Sequence, residues 1–180
     1  VDPAISEELE HLMLGGGFNY YRIENQLRAD DLLVRQRAGA SLGLAAAKLG
    51  QLAEQFQRTC MPAPTRDCPY PPAEVMEQLN ALRRLRQRII TSNSLLQGLS
   101  CPAQDKIWRR LRDEQTLLNS LLQADIAMLR QASELEQQVQ ALTAQGWKSP
   151  DAGAAIESAC DRWDQTIRAR QQLLEIGSHA

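Results

Sequence analysis

Aromatic side chains make up only 4% of the 180-residue chain, and its two histidines are His11 and His179. A core short of rings must rest on Leu, Ala, Ile and Val, as in helical bundles. Two histidines so far apart leave no H-E-x-x-H motif and no Glu-x-x-His pairs for a di-metal bundle. Neither G-x-S-x-G nor a P-loop sequence occurs. Gly15 to Gly17 follow a helical segment rather than a strand, so they make a poor phosphate loop. Nothing in the sequence favours a Cys–His nucleophile built from Cys160 and His11. The chain reads as non-enzymatic, with no cofactor and no metal expected.

Strand signals are also scarce. There is no Asn-Gly or Asp-Gly hairpin turn and no sustained period-2 alternation. The longest nearly uncharged run, 38–47, falls far short of the ~20 residues that span a bilayer. Charge is close to balanced, with 20 Lys and Arg against 22 Asp and Glu and a formal net charge of −2. That balance argues against a protein that coats nucleic acid.

What the chain does have is helical periodicity. The fold class is all-α: an elongated antiparallel bundle in one domain, with two long helices of about 40 residues and two or three shorter ones. A short helix with its glycine joint occupies 1–17, and the main helices cover 18–59, 73–97, 102–145 and 150–176. In 18–59, Tyr20, Ile23, Leu27, Val34, Leu42, Ala45, Leu49, Leu52 and Phe56 fall near one stripe. Gly39, Gly43, Ala47 and Gly50 leave room there for a neighbouring helix. In 102–145, Leu111, Leu118, Leu121, Met128, Ala132, Leu135, Val139 and Leu142 follow a heptad spacing. Leu122, Ile126 and Leu129 widen that face, which suits either an intrachain core or a homodimer. In 150–176, Ile156, Cys160, Trp163, Ile167 and Leu174 share a stripe, making Cys160 a buried thiol.

The cysteines carry the compartment argument. Residues 59–72 hold Cys60, Cys68 and five prolines, and a Cys60–Cys68 bridge would close that loop. Such a bridge is worth about 2.5 kcal/mol in the chain-entropy model. It implies an oxidising compartment, periplasmic or extracellular, with a signal peptide removed ahead of Val1. Four reduced thiols in a cytoplasmic protein are the alternative. Cys101 sits roughly 40 Å from Cys60 along straight helices, so a Cys101–Cys160 bond would require a bent 102–145 helix.

Charged residues supply the remaining signals. Asp30-Asp31, Asp113-Glu114 and Glu134 with Glu136 read as solvated helix faces. Asp125 falls on the apolar stripe and should pair with an arginine from another helix or sit at its edge. Arg83, Arg84, Arg86 and Arg88 on one helix, with Arg109, Arg110 and Arg112 on the next, form the strongest cluster. Guanidinium forks there suit an acidic partner surface or an anionic ligand. Ion pairs with Asp30, Asp31, Asp113 and Glu114 are the plainer use of the same charges. Trp108 is the only aromatic in the cluster, so single-stranded nucleic acid is not an expected partner.

The function expected from these features is binding of another cell-envelope protein. Secretion, conjugation or pilus components, periplasmic chaperones and immunity proteins all fit. The alternative is the extracytoplasmic sensor domain of a membrane receptor that recognises a small anion.

Overall fold

A computed structural model describes residues 20–61, 66, 70–99 and 115–176. The fold is all-α, and the described residues form four helices: α1 (Tyr20–Cys60), α2 (Ala73–Gly98), α3 (Gln115–Gln140) and α4 (Pro150–Ile176). A 3-10 turn, Gly146–Lys148, precedes α4. The short helix expected over 1–17 and the first part of the one expected over 102–145 lie outside the described residues.

The buried stripes follow the helical repeat. On α1 they are Val34, Ala38, Leu42, Ala45, Leu49, Leu52 and Phe56; on α2, Leu79, Leu82, Leu85, Ile89 and Leu96. Leu121, Met128, Ala132, Leu135 and Val139 supply α3, and Ile156, Cys160 and Trp163 supply α4. Each buried Leu, Ile, Val, Met or Phe among them contributes roughly 1.5–3 kcal/mol on leaving water, and each alanine less. Ile126 and Leu129 are half-buried and pack on this same core, so the wide face of α3 is used within the chain.

Consecutive helices α1 and α2 run antiparallel. Asn93 Nδ2 donates to Gly39 O at 3.1 Å and Gln97 Nε2 to Arg35 O at 3.3 Å, so later residues of α2 meet earlier ones of α1. Gly39 permits this approach: a Cβ there would stand 2.9 Å from Asn93 Oδ1 and closer still to Gln97 Nε2. Helices α2 and α4 instead run in the same direction. Arg88 bonds Asp161 and Asp164, and Ser92 meets Asp164 one turn further along both. Around the bundle the neighbours are α1 with α2, α2 with α4, α4 with α3, and α3 with α1. Helices α2 and α3 thus sit diagonally across the described bundle, and α2 and α4 lie side by side. Their shared wall is the least densely packed of the four.

Helix α3 stops at Gln140, earlier than the 145 that periodicity suggests. The cause is Trp147. Leu142 N turns back to Val139 O at 3.1 Å, and Trp147 N bonds Thr143 O at 2.9 Å. These turns swing the indole into the core, where Nε1 donates to Gln78 O at 3.2 Å. Burying that ring and its donor together outweighs another helical turn with polar ends.

Candidate functional site

Two charged constellations stand out, one sealed in the core and one open. The sealed one joins three helices. Asp31 and Arg35 come from α1, Asp125 from α3 and Arg170 from α4, all nearly inaccessible to solvent. Arg170 Nε donates to Asp125 Oδ1 and its NH2 group to Asp31 Oδ1, so one guanidinium reaches both carboxylates. Arg35 bonds Asp31 Oδ2 through one nitrogen and the carbonyl of Leu99, just past the end of α2, through another. Asp30 is buried beside them.

Electrostatics there are poised rather than relaxed. Burial pushes the Asp125 carboxyl up from its usual range, and the charge and hydrogen bond of Arg170 oppose that. Burial also raises Asp30. On Arg170, burial works against the charge, but Asp125 and Asp31 outweigh it and hold the guanidinium protonated. Asp125 Oδ2, Asp30 Oδ2 and Arg35 Nε find no hydrogen-bond partner among the described residues. Such a layer ties helices together and is closed to ligands.

Of the expected solvated carboxylates, Asp30 and Asp31 are therefore buried. Their stripe position explains it. Asp31, Val34 or Arg35, Ala38 and Leu42 continue one helical face, and Arg170 completes the run Ile156, Cys160, Trp163, Ile167 on α4. Asp125 pairs with an arginine from another helix, one of its two expected fates.

The open constellation is a groove of about 590 Å³ between the parallel helices α2 and α4. Trp163, only 1% exposed, lies beneath it, with Leu99 and Ile167 half-buried around it. Leu95 projects into it at 65% exposure. Arg84 and Arg168 stand on opposite rims, both exposed, with no carboxylate partner among the described residues. Arg88 is already engaged by Asp161 at 2.6 Å and Asp164 at 2.7 Å. Those two hydrogen bonds raise its proton affinity further, Asp164 most.

The predicted arginine cluster is thus divided by the helix it sits on. Arg84 and Arg88 face the groove; Arg86 runs past Gly50 of α1; Arg83 is exposed. Arg88 pairs with α4, not with the carboxylates of α1. Arg109, Arg110 and Arg112 lie outside the described residues, as do Asp113, Glu114, Trp108, Cys68, Cys101, His11 and His179. Arg168, the second rim cation, carries no sequence signal of its own, because only the pairing of α2 with α4 gives it a role.

Cys60 is half-buried and carries no bridge in this structure. Cys160 is a buried thiol pushed up to about 11, chiefly by burial, with Arg88 pulling the other way. Its thiolate is scarce at neutral pH, so it is a poor nucleophile. No group of His, Cys, Asp and Glu among the described residues is placed to hold a metal ion. None of the described helices is long and apolar enough to cross a membrane. No family model, curated protein or solved structure matches the chain.

Proposed function

We propose that this chain is a non-enzymatic protein-binding bundle of the cell envelope, with the α2/α4 groove as its binding face. The single observation that carries the reading is Leu95, which is 65% exposed in a channel floored by core side chains. Apolar surface of this kind, concave and rimmed by polar groups, marks interaction sites. The bundle supplies a rigid mount: α1 alone, 41 residues long, extends about 60 Å. Envelope location rests on the proline-rich sequence between Cys60 and Cys68, since a bridge there would persist only under oxidising conditions. Secretion, conjugation and pilus components, chaperones and immunity proteins share this mode of action.

A photo-crosslinking residue placed at Leu95 and, as control, at the outward-facing Leu44 of α1 tests the binding face in the native host. The expected result is one discrete adduct from position 95, dependent on Arg84 and Arg168, and none from position 44. Alkylation without reductant, followed by intact mass, tests the compartment: the Cys60–Cys68 pair should resist labelling. Absence of an adduct at 95 refutes the binding face, and four labelled thiols in native material refute the envelope assignment.

A further inference from the structure

We infer that the occupant of the α2/α4 groove is an amphipathic helix of a partner protein, carrying acidic side chains about three turns apart beside its apolar stripe. This rests on the protein-binding reading above and specifies the partner's chemistry.

Shape comes first. The described residues hold no strand, so no sheet edge is on offer for an extended peptide. Two parallel helices instead form a straight channel whose length follows their axes. Apolar lining extends along the channel, from Trp163 at the level of Arg88 to Ile167, Leu95 and Leu99 further toward the end of α2. A helix laid in the channel can seat a leucine-sized side chain there and run onward along the floor.

Charge comes second. The residues lining the groove include Arg84, Arg88 and Arg168 against one carboxylate, Asp164. Asp164 and Asp161 both serve Arg88, which leaves Arg84 and Arg168 as the two cations available to a partner. Their separation follows from the pairing of the helices. Contacts between α2 and α4 join residues offset by 72 to 76 positions, so Arg168 lies level with residues 92–96 of α2. Arg84 is therefore about 15 Å away along the channel, roughly three helical turns. Acidic side chains at i and about i+11 of a docked helix would meet both rims. A small anion cannot bridge that distance, and it would leave Leu95 uncovered.

The test uses fluorescence anisotropy with three probes on the full chain. One is a stapled, fluorescein-labelled Leu/Ala helix of about five turns with glutamates three turns apart. The second has those glutamates replaced by lysines. The third is inorganic phosphate as a competitor. Variants are Arg84→Glu with Arg168→Glu, and Leu95→Glu, each checked by circular dichroism for an unchanged helical signal.

The acidic helix should bind saturably, and the double arginine reversal should weaken it about tenfold or more. The same variant should bind the lysine helix more tightly than the parent protein does, a gain that misfolding cannot produce. Leu95→Glu should weaken both helices. Equal binding of the acidic and basic helices, lost in Leu95→Glu, would overturn the acidic assignment while leaving a protein-binding groove. Displacement by millimolar phosphate with indifference to Leu95→Glu would overturn it in favour of a small-anion site. Binding of neither helix would overturn it outright.

Discussion

Replacing Arg170 by Met should be among the most damaging single changes in the molecule, and the damage should depend on pH. Arg170 is 2% exposed and its guanidinium serves two carboxylates, Asp125 at 1% and Asp31 at 3% exposure. Asp31 would keep Arg35, but Asp125 would lose its one hydrogen-bond donor among the described residues. Breaking a buried pair in this way costs about 3–5 kcal/mol. Whole-domain stabilities are only about 5–15 kcal/mol, so the variant should sit near the edge of folding. The sign of the pH effect follows from Asp125. Its folded value lies above the unfolded 3.8, so its contribution to stability is full below that pH and lost as pH rises through the raised folded value. Removing Arg170 raises the folded value further. The penalty should therefore be small in mild acid and grow toward neutrality. Asp125→Leu combined with Arg170→Met removes both charges and should recover most of the loss. Urea unfolding at several pH values, followed by Trp fluorescence and circular dichroism, measures all three proteins. A loss below about 1 kcal/mol at pH 7 would refute the reasoning, because it would mean that Asp125 is solvated. So would a double variant no more stable than Arg170→Met alone.

Three further outcomes can be checked independently. Gly39→Ala should cost about 1 kcal/mol net in urea melts, because the new methyl displaces the side-chain ends of Asn93 and Gln97 from the carbonyls they bond while alanine recovers part of that loss through helix propensity; Gly98→Ala, with nothing within 4 Å, should change stability by under about 0.5 kcal/mol. Iodoacetamide at pH 8 should modify Cys160 only at the rate of unfolding, since its thiol is buried and titrates near 11, and labelling as fast as a free thiol peptide would contradict that burial. Arg88→Met should cost less than about 1 kcal/mol and less still in high salt, because its bridges to Asp161 and Asp164 are partly exposed.

The helices were legible because their stripes repeat at helical spacing, and Val34 through Phe56 or Met128 through Val139 could be read as core directly. Asp125 was legible for the same reason, as a charge interrupting an apolar stripe. Asp31, Arg35 and Arg170 occupy stripe positions equally well, but each stands next to other charged or polar residues and blends into a solvated face. Only their meeting across the bundle distinguishes them. The end of α3 was hidden because a tertiary contact, Trp147 against Gln78, sets it rather than local propensity. The groove was half legible. Arg84 and Arg88 belong to a visible run of arginines, whereas Leu95 resembles any leucine near a helix end. Its exposure follows from the parallel placement of α2 and α4, which local periodicity does not encode.

The buried quartet also has a consequence for alignment of the helices along their axes. Heptad stripes of Leu, Ala and Val look nearly the same after a shift of seven residues, so apolar packing alone tolerates sliding. Asp125 breaks that translational sameness. Moving α3 by one heptad would set Leu118 or Ala132 opposite Arg170 and strand a guanidinium and a carboxylate in hydrocarbon. The penalty for that error is of the same order as breaking the pair outright. The layer acts as an index mark that permits a single setting of α3 and α4 against α1. Through Arg35 and the Leu99 carbonyl it also fixes the end of α2 to that setting. The spacing between Arg84 and Arg168 across the groove is thus held constant by charges that never touch solvent.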